Sequence, residues 1–287
     1  MERTISYEER IAACNNAELH RFLPWRIDGR RAGFVRRDRV PLLLATGAGF
    51  STQGDGSLEL KGDSAASLTA RLAALARELA LRGEIRVRDE RFPLTDDCEA
   101  PPRCEIDRGL VPWLGVRAFG VHLCAYTRRH DGLHCHVAVR AKTKSFPGAW
   151  DNTVAGGQPA GMTLSANVIK ECAEEASIPA EVANLAVATS PITYVQEDAT
   201  GLKPDTLFCY DLELTNGFEP APNDGEVERF LCVPANELAQ VVRDEPRCKP
   251  NCALVWIDFL LRHGVVEGEV APFRRDALRR SLEAPLP

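Results

Sequence analysis

Three glutamates, Glu171, Glu174 and Glu175, follow a glycine-rich stretch that runs Gly156-Gly157-Gln158-Pro159-Ala160-Gly161. The spacing predicts a helix over 164–176, and on it the three carboxylates share one stripe. Val168, Ile169, Cys172, Ala173 and Ala176 fall on the neighbouring stripe, which suits packing against a sheet. Like charges one turn apart destabilise a helix by roughly 0.2–0.5 kcal/mol per pair. A divalent cation reverses the sign of that effect. Clustered carboxylate oxygens suit hard ions such as Mg²⁺ or Mn²⁺, which also bind phosphate oxygens. Lys170 precedes Glu174 by one turn and can orient it. A bare Glu-x-x-Glu-Glu is usually a solvated face. The glycine loop ahead of this one argues for more.

Other residues qualify for roles around such a cluster. Arg140, Lys142 and Lys144 precede the glycine loop, where cations can hold a diphosphate. Trp113 and Trp150 are candidates to stack on a heteroaromatic ring, although aromatics more often fill a core. His134 and His136 fall on one face of a predicted strand, with no evident third ligand for a metal. No Gly-x-x-x-x-Gly-Lys-Ser/Thr phosphate loop and no Gly-x-Ser-x-Gly elbow occurs, so NTP-using kinase and serine hydrolase chemistry lack support.

The elements that must position these residues are mixed. In the first part, a helix is expected over 7–20 and a hairpin around Asp28-Gly29. A helix follows over 64–81, with Ser64 as N-cap and Gly83 past its end, then a strand over 85–94. In the second part, strands over 121–127 and 133–140 precede the glutamate helix. Strands over 192–196 and 206–214 are expected to flank a polar loop, 197–205. A strand over 230–233 and helices over 235–242 and 253–262 close the chain. Strands flanked by helices define an α+β class.

The whole chain has 287 residues, 45% hydrophobic and 26% charged, which allows about two domains. A net charge of -6 argues against a general nucleic-acid binder, which needs a basic face. No run of about 18 apolar residues suggests a membrane span. Neither that nor the first residues suggest secretion, so the cytoplasm is the expected location. The 10 cysteines contain no Cys-x-x-Cys pair and read as reduced, structural residues.

The segment 156–178 resembles the Nudix box: Gly, five residues, Glu, seven residues, Arg-Glu, an apolar residue, any residue, Glu-Glu, any residue, Gly, apolar. Gly156, Glu171, Cys172, Glu174, Glu175 and Ile178 match it. Met162 stands at its first Glu, Lys170 at its Arg and Ser177 at its second Gly. The loss of an acidic partner at Met162 makes the Lys170 change look compensatory. Phe146-Pro147-Gly148-Ala149-Trp150-Asp151-Asn152-Thr153-Val154-Ala155-Gly156-Gly157 is similar to the subgroup related to thiamine pyrophosphokinase, whose members carry an extra N-terminal domain.

The resemblance implies a Nudix α/β/α sandwich over 116–270, a smaller N-terminal α/β domain over 1–115 and a tail over 271–287. It implies Mg²⁺ or Mn²⁺ held by Glu171, Glu174 and Glu175, with a carbonyl from Gly156. Among Glu171, Glu174, Glu226 and Glu228, one is the implied general base. Arg140 and Lys144 are the implied diphosphate cations. The expected reaction is hydrolysis of thiamine diphosphate or its oxidised analogues, with no nucleic-acid or membrane partner and with a homodimer as one option. Two alternatives stand beside it: hydrolysis of nucleotide sugars or dinucleotides, and a non-catalytic ligand-binding module.

Overall fold

The computed structural model describes residues 6–215 and 217–266. The tail expected over 271–287 lies outside the described residues, as do positions 267–270 of the expected second domain.

Helix α1 (Tyr7–Ala13) starts at a capping box between Ser6 and Glu9. It stops well short of the expected residue 20, because Asn15 and Asn16 do another job. Their side-chain oxygens accept the Val195 and Glu197 amides and so cap a distant strand edge. Tyr7 and Ile11 bury against the C-terminal helices rather than in the N-terminal unit. The Tyr7 hydroxyl donates to the Ala239 carbonyl at 2.8 Å. Sequence order alone therefore misplaces this helix within the 1–115 domain.

The N-terminal unit contains β1 (Phe22–Ile27), β2 (Arg30–Arg36), α2 (Val40–Leu44), β3 (Phe50–Thr52), β4 (Leu58–Leu60), α3 (Ala65–Leu81), β5 (Arg91–Leu94) and β6 (Cys104–Asp107). Its four-stranded sheet has the order β2-β1-β4-β3. Asp28 and Gly29 both take positive φ, 49° and 77°, as a two-residue hairpin turn requires. Ser64 caps α3, which buries Leu68, Leu72, Leu75, Ala76 and Leu79 on one face. The strand expected over 85–94 forms only over its last four residues. Ahead of it the Asp107 carboxylate accepts the Arg88 and Asp89 amides, which takes that stretch out of any ladder.

The second unit contains β7 (Phe119–Arg129), β8 (Gly132–Arg140), β9 (Trp150–Asp151), β10 (Val154–Gly157), α4 (Leu164–Ala176), α5 (Ala180–Ala183), β11 (Val187–Ala188), β12 (Ile192–Asp198), β13 (Gly201–Glu213), β14 (Val227–Pro234), α6 (Ala235–Asp244) and α7 (Pro250–Arg262). The main path of its sheet is β11-β13-β7-β8-β14. Val121, Leu123 and Ala125 pack with Val168, Cys172 and Ala176 of α4. Cys124, Tyr126, Cys135 and Val137 pack on the opposite face with Trp256 and Phe259 of α7. The result is the expected α/β/α sandwich.

The sheet forks, and the fork makes the site. β7 and β8 pair only from Ala125↔His136 to Arg129↔Gly132. Beyond that β10 pairs with β7 and β9 pairs with β8. Thr153 sits in the crotch. Its hydroxyl accepts the Ala125 amide at 2.8 Å and donates to the His136 carbonyl, replacing bonds the two strands no longer share.

The polar segment 197–205 is mostly strand, not loop. β12 and β13 meet through Ala199 and Thr200, with the Asp198 carboxylate holding the Thr200 amide at 2.8 Å. Arg39 of the N-terminal unit donates to the Ala199 and Thr200 carbonyls, and the Leu202 amide donates to Pro112. Docking between units is what uses those polar groups. All ten cysteines are unpaired, and eight are buried. Among the described residues no helix is long and apolar enough to cross a membrane.

Candidate functional site

The loop between β10 and α4 is fixed by side-chain amides. Asn167 donates to the Gly157 carbonyl at 2.9 Å and to Gln158 Oε1 at 3.1 Å. Gln158 donates in turn to the Met162 carbonyl at 2.6 Å. Met162 thus contributes only main chain where the resembled box has Glu. Thr163 caps α4 by accepting the Ala166 amide. At the other end Ser177 takes φ 53°, the left-handed conformation in which the box has Gly.

The carboxylates sit against β10. A Cβ on Gly156 would lie 2.6 Å from Glu171 Cγ and Oε1, so a side chain here would push the Glu171 carboxylate out of this position. Glu175 is 8% exposed, and its Oε2 accepts the Ala155 amide at 2.9 Å. Burial pushes its carboxyl well above the usual range. The Ala155 amide works against that rise, while Asp151, Glu171 and Glu226 add to it. Burial likewise raises Glu171, against Lys170.

The implied carbonyl donor shifts by one residue. In an antiparallel strand, the N–H and C=O of one residue point to the same side. The Ala155 amide faces α4, so its carbonyl does too. The Gly156 carbonyl lies toward β7, 3.1 Å from where a Gly120 Cβ would be. Gly156 serves close approach, and Ala155 presents the oxygen.

Lysines stand among the acids. Lys170 contacts Glu171 at 3.0 Å and Glu174 at 2.6 Å. Lys144 contacts Glu226 at 2.5 Å, and the negative charge of Glu226 reaches both Glu171 and Glu175. Among the described residues, no three His, Cys, Asp or Glu side chains already converge as a metal-holding group. Glu228 is placed differently from Glu226. It lies at a register shift in β14, is exposed, and pairs with Arg229 at 2.7 Å.

Arg140 is held in place. Nη1 donates to Asp151 Oδ2 at 2.6 Å, Nε to the Ser145 carbonyl at 2.7 Å, and Nη2 to Ser145 Oγ at 3.2 Å. The buried Asp151 also accepts from the Cys252 thiol, the Asn152 amide and Lys249. Burial alone would raise Asp151, but Lys249 and Arg140 hold it down at about 2. Behind it, Asn152 bonds the buried His122, whose burial lowers it to about 4 and keeps it neutral. Sequence reading missed Asp151, Asn152, Lys249 and Cys252 as a network. About 100 positions separate the two halves, and no local spacing signals their meeting.

Neither tryptophan faces the cluster. Trp113 is 1% exposed in the N-terminal core, with Arg39 over its ring. Trp150 is 5% exposed in the α7-side core, with Arg247 over its ring. Their expected ring-stacking role fails because both rings are buried in cores and one arginine already covers each. His136 bonds Thr127 and is not part of a metal pair.

A forked sheet, a glycine turn and a glutamate-lined helix define a hydrolase site of the α/β/α sandwich class. A NUDIX domain family model matches residues 117–252, and one described as a domain of unknown function, DUF4743, matches residues 6–118. Nudix hydrolase 20, chloroplastic, from Arabidopsis thaliana is 34% identical over 91% of this chain and 74% of its own length. Nudix hydrolase 24, chloroplastic, from the same plant is 33% identical over 95% of this chain and 76% of its own. Among solved structures, the NUDIX domain of Shewanella oneidensis NrtR, complexed with ADP ribose, has 16% identity and a TM-score of 0.41, covering 51% of this chain and 89% of that one. The chain belongs to the Nudix hydrolase family, and its enzyme class is diphosphohydrolase.

Proposed function

We propose that this chain hydrolyses the diphosphate of thiamine diphosphate or its oxidised analogues. The observation that carries the chemistry is the seating of Glu171 on Gly156 and of Glu175 on the Ala155 amide. In this reading Glu171, Glu174, Glu175 and the Ala155 carbonyl hold Mg²⁺ or Mn²⁺. The donor set fits a hard cation, and a cation would offset the burial that disfavours the charged form of Glu175. Such an ion supplies Lewis-acid polarisation of a phosphoryl oxygen and a lowered pKa for water.

The chain's own residues do the rest. Glu226 takes the proton of the attacking water. Lys144 leaves Glu226 for the diphosphate, which frees the base and binds the substrate together. Arg140 uses three of its five N–H groups on Asp151 and Ser145, leaving two for phosphoryl oxygens. Water oxygen bonds to phosphorus as the bridging P–O bond breaks. The products are a monophosphate ester and phosphate. The thiamine part of this reading rests on the likeness of residues 146–157 and 170–179 to the thiamine-pyrophosphokinase-related subgroup.

The test is phosphate release with Mg²⁺ and Mn²⁺ across thiamine diphosphate, its oxidised analogues, nucleotide sugars and dinucleotides. Highest kcat/KM on a thiamine-type diphosphate is expected. A higher value on a nucleotide sugar or dinucleotide sinks the substrate, and no metal-dependent turnover on any of them sinks the reading altogether.

A further inference from the structure

We infer that Phe146 is the side chain that reads the organic ring of the substrate. The inference rests on the diphosphate site proposed above and adds its specificity residue. Phe146 is 52% exposed, the only aromatic among the large apolar side chains that the described residues leave exposed. Water contact of that extent is unusual for Phe, which otherwise buries its ring.

Its backbone is also constrained. Phe146 takes φ 54°, a conformation that bulky residues adopt only when surroundings impose it. Those surroundings are the anion-binding loop itself. Residues 141–149 close on themselves: Arg140 N–H donates to Ala149 O, Gly148 N–H to Arg140 O, and Ala149 N–H to Phe146 O. The preceding residue, Ser145, holds the Arg140 guanidinium through both its carbonyl and its hydroxyl. Two residues back, Lys144 contacts Glu226. Phe146 is therefore tied, within one and two residues, to both cations assigned to the diphosphate.

The loop's connectivity then limits what the ring can meet. A diphosphate on Arg140 and Lys144 has its organic group one bridging oxygen away. Phe146 shares its short closed loop with both cations and leaves its ring open to water, whereas Trp113 and Trp150 are sealed in cores. A phenyl face stacks on a heteroaromatic ring and attracts a cationic one, so a positively charged heteroaromatic is the chemical class it suits.

The experiment compares KM for the best heteroaromatic diphosphate with Ki for inorganic pyrophosphate, which has no organic group. Phe146→Leu is expected to raise KM up to about tenfold, with Ki for pyrophosphate unchanged. Phe146→Trp is expected to restore KM. Phe146→Gly is expected to raise Tm, because it relieves the left-handed φ, while weakening KM like Leu. Equal shifts in KM and Ki, or no shift in KM, overturn the assignment. So does a lower Tm for Phe146→Gly, which means the ring is structural. If wild type turns over no diphosphate, the functional reading fails separately. Phe146 is then judged by calorimetric binding of thiamine diphosphate against pyrophosphate, with the same expectations.

Discussion

The Phe92 ring fills the space that a side chain on Gly157 would need: its Cζ lies 2.6 Å from the position of a Cβ there. Phe92 belongs to the N-terminal unit and Gly157 to the loop that enters the glutamate helix. Beside them the Ala160 amide donates to the Arg91 carbonyl at 2.8 Å. The two adjacent glycines thus face different neighbours, Gly156 the Glu171 carboxylate and Gly157 the other unit.

Gly157→Ala should destabilise the protein by about 1–3 kcal/mol, the usual cost of overpacking. Phe92→Ala combined with Gly157→Ala should cost less than the sum of the two single changes, since the pair shares one volume. Urea unfolding of the four proteins checks this. Strict additivity would mean that the two residues are not coupled. A chain truncated before residue 116 should be unstable for the same reason, and also because it lacks α1, whose Tyr7 and Ile11 complete the core under α7.

Glu175 gives a pH dependence whose sign can be worked out. Its folded-state pKa is raised above the unfolded value by burial. The unfolded chain therefore loses this proton first as pH rises, and metal-free stability falls from the ordinary carboxylate range up to the raised pKa. Glu175→Gln should remove that fall and raise the metal-free Tm at pH 8. It should also abolish the Tm gain from Mg²⁺ or Mn²⁺ and lower kcat about 10²-fold or more. Unchanged kcat together with an unchanged metal-induced Tm gain would return this carboxylate to a structural role. Excess chelator should stop turnover in the wild type.

Asp151 predicts the opposite pH trend. Lys249 and Arg140 hold its pKa at about 2, below the unfolded value. Its contribution is present above the unfolded pKa and is lost as pH falls toward 2. Asp151→Asn leaves two neighbouring cations without their shared partner and should cost about 3–5 kcal/mol. It should also raise KM, because Arg140 loses its anchor. A variant with wild-type KM would show that Ser145 alone fixes the guanidinium.

Ser177 ends α4 in a left-handed conformation on an exposed site. Ser177→Gly should stabilise by about 1 kcal/mol, because glycine adopts that conformation without penalty. Kinetics should not change. Thermal unfolding that shows no gain would mean that the serine conformation carries no strain worth relieving.

The sequence by itself determined the glutamate helix, its glycine lead-in and the sandwich class. Those are local: a 3.6-residue period, a cap at Ser64 and a turn at Asp28-Gly29 are fixed by neighbours a few positions apart. It also placed Lys144 and Glu226 among the candidates, though not as a pair. Only the tertiary structure decided which carbonyl faces the acids, because both residues 155 and 156 pair with β7 and only the register sets which of them turns its N–H and C=O toward α4. It decided that Glu228 lies at a bulge and pairs with Arg229, since a bulge cannot be read from charge pattern. It gave 197–198 and 201–205 to strands, because β12 and β13 pair across them, while the turn carbonyls between are taken by Arg39 of the other unit. And it separated Trp113 and Trp150 from Phe146: an aromatic residue has the same hydrophobicity wherever it lies, and only packing settles which ring is left facing water.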